Sequence, residues 1–247
     1  MLLSVIIPMY NEENVVFETA ETLLSRLRRT GYDFEIIFSD DGSVDRTAEI
    51  VSAIAAENPE VRLLRSEENK GKGHAVRLGM AESLGDYAVF TDCDLAYGVE
   101  VILQVLDKLR DTNADICIGS RALHPSGYAE YPRFRRIFSK SYVKILKNTA
   151  SFSYSDAQCG IKGFDRRVCE PLFEGCKVDG FAFDLEILML ADSMGIRVCE
   201  IPVRILNHVP ENSKVRAVRD AFKMLSDVRT IKKNISSTRK ERITDEV

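Results

Sequence analysis

Five short, mostly apolar runs punctuate the first half of the chain: Leu3 to Ile7, Glu35 to Phe38, Val61 to Leu64, Tyr87 to Phe90 and Ile116 to Ile118. Between them apolar residues return every three or four positions, as in Val15, Leu23, Leu24 and Leu27, then Ala48, Val51 and Ile54. That spacing marks one face of a helix. The runs lack the alternation of a half-exposed strand and so predict strands buried on both faces. The fold expected is a βαβ series, a mostly parallel sheet with helices on both faces. Beyond Arg121 the rhythm loosens. His124 to Arg136 is rich in Pro, Gly, Tyr and Arg and predicts a loop over the active face. Helices are expected at Phe138 to Lys147, Phe181 to Met194 and Lys214 to Ile235, with a strand at Val198 to Val203. No internal repeat interrupts this order.

Ligands of open α/β sheets bind at the carboxyl ends of the strands, so the loops there carry the chemistry. Asp92-Cys93-Asp94 follows the run Tyr87 to Phe90. A lone D-x-D arises readily by chance in an acidic chain, but at a strand end two carboxylates suit a hard divalent cation. Mg2+ or Mn2+ takes one or two protein carboxylates and fills its other positions with phosphate oxygens and water. Pro8 to Glu13 closes the first strand, and Asp40 to Asp45 the second. There Asp41 can accept from a base or ribose, while Asp45 caps a helix beginning at Arg46. Asn69 to His74 interleaves Lys70 and Lys72 with glycines ahead of a helix that also carries Arg77. This pattern describes either a solvated face or an anion site made of backbone N–H groups and cations.

Composition narrows the class. With 247 residues, 45% of them hydrophobic, the chain can bury a substantial core as one large domain or as a domain with an appendage. Residues 1–212 are read as the domain, 213–235 as a basic amphipathic helix and 236–247 as a disordered tail. A net charge of -4 argues against a general nucleic-acid binder. No stretch of 18 apolar residues is available to span a membrane. Met1 to Pro8 reads as a first strand rather than an export signal, and the six cysteines show no C-x-x-C spacing. A reducing, cytoplasmic setting is expected. His74, His124 and His208 form no metal-like cluster.

In order and spacing, four stretches resemble the family 2 glycosyltransferases of the GT-A fold: Val5 to Glu12, Ser39-Asp40-Asp41-Gly42-Ser43, Asn69-Lys70-Gly71-Lys72-Gly73, and Asp92-Cys93-Asp94. The resemblance runs from about Leu3 to Lys214. It implies a nucleotide-binding, Rossmann-like N-terminal half and inversion at the anomeric centre. Pro8, Tyr10, Glu12 and Asp41, beside Asp40, would line the nucleotide pocket. Asp92 and Asp94 would hold the metal on the diphosphate of a nucleotide-sugar donor. Within the family the chain is similar to the polyprenyl-phosphate sugar synthases, and to their dolichyl-phosphate glucosyltransferase branch, through Asn69 to Met80, Asp92 to Ala96 and Asp156 to Lys162. Ala96 stands where the mannose synthases carry a glutamine ligand, which favours UDP-glucose over GDP-mannose. Gly119-Ser120-Arg121 matches an element near the acceptor phosphate, and Gly180 to Leu188 one beside the acceptor.

Inverting transfer needs alignment and leaving-group stabilisation, and a base only if the acceptor is an alcohol. A lipid phosphate is already an anion and needs cations instead. Arg121 and Lys162, with Gln158 between them, are the expected acceptor-side residues, and Arg133, Arg135 and Arg136 are further candidates. Asp184 is the candidate catalytic carboxylate of the acceptor side, and Glu186 a second one, although either equally favours a helix N-terminus. Val215, Val218, Phe222, Leu225, Val228, Ile231 and Ile235 form an apolar stripe edged by Lys and Arg. Such a helix either lies on an anionic membrane surface, peripheral at its inner face, or packs on the domain. Two other readings stay open. One is a soluble transferase acting on a sugar or protein hydroxyl with Asp184 as base, and the other a non-catalytic nucleotide-sugar binding module. A dinucleotide site is excluded, since no G-x-G-x-x-G follows the first strand.

Overall fold

The computed structural model describes residues 1–129, 143, 146, 153–206 and 228–235. Its first part is a regular winding: β1 (Leu2–Met9), α1 (Val16–Leu27), β2 (Asp33–Asp40), α2 (Thr47–Glu57), β3 (Val61–Arg65), α3 (Lys72–Ala81), β4 (Tyr87–Thr91), α4 (Glu100–Asp111) and β5 (Ile116–Ser120). After it come β6 (Ile161–Asp165), α5 (Arg166–Gly175), α6 (Phe183–Ser193), β7 (Val198–Pro202) and a helix α7 over 228–235. The strands form one seven-stranded sheet in the order β3-β2-β1-β4-β6-β5-β7. Only β6 runs against its neighbours. It pairs antiparallel with both β4 and β5, while the remaining pairs are parallel.

Two apolar layers cover the sheet. Val5, Ile7, Ile36, Phe38, Val89 and Cys117 face α1, α2 and α4, whereas Ile6, Ile37, Ala88, Phe90, Ile116 and Ile118 face α3, α5 and α6. Neighbouring residues of one strand thus enter opposite layers, which is why the strands read as unbroken apolar runs. The strand β6 was not among those expected. Nor was α5, whose start is capped by Asp165 accepting from the Arg167 N–H at 2.9 Å.

The reading of the C-terminal stripe is tested only in part. Residues 228–235 are helical, and Val228 and Ile231 are buried in the second layer, with Ile235 packed against it. Arg229, Lys232 and Lys233 are exposed. In this portion the stripe is domain core. The expected residues 214–227 and 236–247 lie outside the described residues, as do Arg133, Arg135 and Arg136. Of the helix expected at Phe138 to Lys147, Val143 and Leu146 are described, and both are helical.

Candidate active site

Strand order reverses direction at β1 and β4, from which β2 and β3 lie to one side and β6 to the other. Such a switch point opens a crevice at the carboxyl edge. The ends of β1, β2 and β4 deliver Tyr10 to Glu13, Asp41 to Asp45 and Asp92 to Asp94 there. Because β6 is antiparallel, with Ile161 opposite Thr91, its beginning rather than its end meets this edge. Asp156 to Lys162 therefore stands beside the D-x-D pair.

The first two loops are zipped together by their own polar groups. The Asn11 N–H donates to Ser43 Oγ at 2.9 Å, the Glu12 N–H to Thr47 Oγ1 at 2.8 Å, and the Val44 N–H to Asn11 Oδ1 at 3.0 Å. Asn11 takes the left-handed conformation, φ 54°, that this crossing requires. Pro8 is buried beneath the loops, and Tyr10 and Glu12 are half-buried at the crevice. The helix α2 starts one residue later than expected, with Arg46 at its N-cap, and Asp45, just ahead of it, accepts from the Thr47 N–H at 3.0 Å. Asp40 accepts from the Ser43 N–H at 3.1 Å and faces Arg65 Nε at 3.4 Å. Its neighbour Asp41 accepts from the N–H groups of Lys70 and Gly71 at 3.1 and 2.6 Å. Burial outweighs these two hydrogen bonds and raises the Asp41 pKa.

The glycine-rich stretch is fixed from the other side by residues 178–179. The Gly73 N–H donates to the Asp179 carbonyl at 2.7 Å, and Arg77 donates to the Val178 carbonyl at 3.0 Å while ion-pairing with Asp179. At Gly71, φ is 122° and a Cβ would lie 2.4 Å from the Asp179 carbonyl oxygen, so only glycine fits. These contacts correct one expectation. The N–H groups of Lys70, Gly71 and Gly73 are all donated within the protein, so side-chain charge is the main thing this stretch offers an anion. Arg77, expected at the nucleotide sugar, holds the 178–179 segment. Lys70 is exposed.

Asp92 and Asp94 stand on a tight turn in which the Leu95 N–H donates to the Asp92 carbonyl at 3.0 Å and the Ala96 N–H to Asp94 Oδ1 at 3.0 Å. Asp92 is ion-paired with Lys72. The backbone at Gly160 comes so close to Asp92 that a Cβ there would sit 2.0 Å from Oδ2. Although solvent reaches the Asp94 side chain, desolvation and then the charge of Asp92 raise its pKa, outweighing the Ala96 N–H and Lys72. Two mutually repelling carboxylates fit a hard divalent cation. Among the described residues no cluster of three His, Cys, Asp or Glu forms a protein-only metal site. For Lys72, burial disfavours the ammonium, but Asp92, Asp184 and Asp94 together outweigh it and raise its pKa.

The residues expected on the acceptor side lie in and beside two buried ion pairs. Arg121 grips Asp156 bidentately, Nε to Oδ2 at 2.7 Å and Nη2 to Oδ1 at 2.8 Å, and its own N–H adds a third bond at 3.1 Å. Burial opposes the Asp156 charge, yet the Arg121 charge and hydrogen bonds outweigh it and lower the pKa. The Gln158 N–H donates to the same carboxylate at 3.1 Å. Lys162, wholly buried, donates to the Cys159 carbonyl at 2.9 Å and ion-pairs with Asp184. Burial outweighs Lys162 and Lys72 and raises the Asp184 pKa. Glu186 is turned away from this group, accepting from the Lys177 and Val178 N–H groups at 2.9 and 2.8 Å. Reasoning from the sequence passed over Asp156, Gly160 and Asp179 as site residues. The first two stood in the Asp156 to Lys162 stretch, whereas nothing local marks Asp179.

The fold is that of a GT-A transferase. A glucosyl-3-phosphoglycerate synthase from Mycobacterium tuberculosis, solved with Mn2+, uridine diphosphate and glucosyl-3-phosphoglycerate, shares it with a TM-score of 0.60 at 19% identity, covering 96% of this chain and 79% of that one. Residues 4–173 match Glycosyl transferase family 2, and the chain belongs to that family. It is a glycosyltransferase. Its relatives include Glycosyltransferase AglD of Haloferax volcanii, 34% identical over 91% of this chain but spanning only 36% of AglD. Another is the dolichyl-phosphate beta-glucosyltransferase of Saccharomyces cerevisiae, 30% identical over 92% of this chain and 73% of the yeast protein.

Proposed function

We propose that this enzyme moves a hexose, with inversion, from a nucleotide sugar to a polyprenyl phosphate, and that UDP-glucose is its donor in preference to GDP-mannose. The observation that carries the reading is the Asp92 and Asp94 pair at the switch point, in a chain whose relatives include dolichyl-phosphate beta-glucosyltransferases. Tyr10, Glu12, Asp40 and Asp41 border the nucleotide, and Lys70 and Lys72 supply charge near its phosphates. Asp92 and Asp94 would hold Mg2+ or Mn2+, which when bound supplies positive charge beside the leaving diphosphate. An acceptor phosphate oxygen attacks the anomeric carbon opposite the diphosphate, and the bond from that carbon to the diphosphate breaks as the new one forms.

An acceptor already ionised needs no base. That agrees with Asp184, whose carboxylate is buried against Lys162 and acts as a positioning residue. Arg121 and Lys162, each held by a carboxylate, line the side proposed for the acceptor phosphate. Among the described residues no helix is long and apolar enough to cross a membrane. Attachment to an anionic membrane surface, at its cytoplasmic face, falls to the basic residues of 213–235. Flotation with anionic but not neutral vesicles is the expected behaviour.

Transfer from radiolabelled UDP-glucose to a short polyprenyl phosphate should stop in EDTA. In Asp94→Asn it should fall about 10²- to 10³-fold, the scale of losing one strong electrostatic contact to the transition state. Full activity of the unmodified enzyme in EDTA would sink the metal assignment. GDP binding tenfold tighter than UDP, a gap of about 1.4 kcal/mol, would overturn the donor choice alone. Preferred transfer to a sugar or protein hydroxyl would restore Asp184 as a base.

A further inference from the structure

Lys72 occupies the position at which a metal carboxylate is met by positive charge. It opens α3, and its ammonium is ion-paired with Asp92 Oδ1, 5.8 Å from the centre of the Phe183 ring. The backbone that carries it is pinned on both sides, by Asp41 through Lys70 and Gly71 and by Asp179 through Gly73. What remains movable is the four-carbon stem of the lysine itself. The glycine-rich stretch has committed the N–H groups of Lys70, Gly71 and Gly73, so its main means of meeting a diphosphate is lysine charge. At Asp92 an ammonium and a divalent cation repel one another and draw on the same carboxylate.

We propose that Lys72 is an internal counter-ion that competes with the divalent cation for Asp92 and transfers to the donor diphosphate when cation and donor bind together. This rests on the reading of Asp92 as a metal ligand. With the diphosphate absent, the cation must displace an ammonium. With it present, the displaced ammonium gains a new anionic partner, so donor and cation tighten one another, and linkage requires the effect to be reciprocal. The arrangement keeps the carboxylates neutralised in the empty enzyme and makes cation binding conditional on the donor.

The test is Mn2+ affinity by titration calorimetry and by electron paramagnetic resonance of free Mn2+, on the full chain, with and without UDP. In Lys72→Met, Mn2+ alone should bind about tenfold more tightly than in wild type, and the mutual tightening of Mn2+ and UDP should shrink by about the same factor, an ordinary size for site-to-site coupling. Lys72→Gln repeats the measurement with a polar side chain, and thermal melts verify that both variants are folded. Lys70→Met removes the same charge from an exposed neighbour and should leave the affinity for Mn2+ alone nearly unchanged. The proposal is overturned if neither Lys72 variant binds Mn2+ alone more tightly than wild type. It is equally overturned if Lys70→Met tightens Mn2+ binding as much as Lys72→Met. Wild-type Mn2+ affinity in Asp92→Asn would instead remove the metal assignment on which the proposal stands.

Discussion

The sides of the crevice proposed to take the donor and the acceptor hold their carboxylates differently. On the donor side the partners are mainly backbone N–H groups, Ser43 for Asp40, which Arg65 also faces, Lys70 and Gly71 for Asp41, and Thr47 for Asp45, with the Asp92–Lys72 ion pair as the exception. On the acceptor side they are cationic side chains, Arg121 for Asp156 and Lys162 for Asp184. A carboxylate bound to backbone fixes the shape of a loop. One bound to a buried lysine or arginine keeps a positive charge in an apolar wall, where it has no substitute if its partner is lost. The donor side is thus built for shape and the acceptor side for charge.

The strongest way to break this comparison is Asp184→Ala, which strands the wholly buried Lys162. A loss of about 3–5 kcal/mol in urea unfolding is expected, and joint replacement by Lys162→Met and Asp184→Leu should recover most of it. Asp41→Asn, the donor-side counterpart, removes charge from two backbone hydrogen bonds and strands no cation. About 1–3 kcal/mol is expected by the same measurement. Equal losses in Asp184→Ala and Asp41→Asn would erase the distinction.

Acid titration of stability sharpens it by sign. Asp156 has a folded pKa below the ordinary value of 3.8. Its contribution is full above that value and is lost as pH falls through the folded pKa. Asp41 has a folded pKa above 3.8, so its contribution is full in acid and declines as pH rises from 3.8 through the folded pKa. Asp156→Asn should therefore flatten the stability profile below pH 3.8, and Asp41→Asn should flatten a decline above it. The smallest effect is confined to the edge strand β7. The Cys117 thiol, more than any other neighbour, draws the half-buried Cys199 down to about 7. Brief alkylation at neutral pH should label Cys199 before the buried Cys93, Cys117, Cys159, Cys169 and Cys176. Prior labelling of any of these five would refute the assignment.

The same division governs what could be read from the chain. The winding from β1 to β5 is legible because each buried strand is an apolar run and each turn carries its own punctuation. Asp41, Asp92 and Asp94 stand out as candidates because they lie where those runs stop. The strand β6 escaped notice because it places Lys162 and Gly163 in the middle of the sheet, against ordinary strand preference. The structure gives the reasons for both residues. Lys162 is neutralised by Asp184, and a Cβ at position 163 would lie 2.3 Å from Val105. Neither partner is local, and strand direction leaves no mark on a five-residue segment. Arg77 and Lys72 were expected as cations near the phosphates, but their partners, Asp179 and Asp92, are set by tertiary approach rather than by spacing.

The reversed strand also orders events during synthesis. When Thr91 leaves the ribosome, β1 to β4 can already pair, yet the far edge of β4 stays bare until Ile161 arrives to meet it. At about 5–20 residues per second that interval lasts several seconds. Throughout it the nascent chain displays an unpaired strand edge beside Asp92, a template for pairing with another chain. The seam in the middle of the finished sheet thus closes late, ahead only of the β5–β7 edge, and the backbone wall beside Asp92 arrives with it.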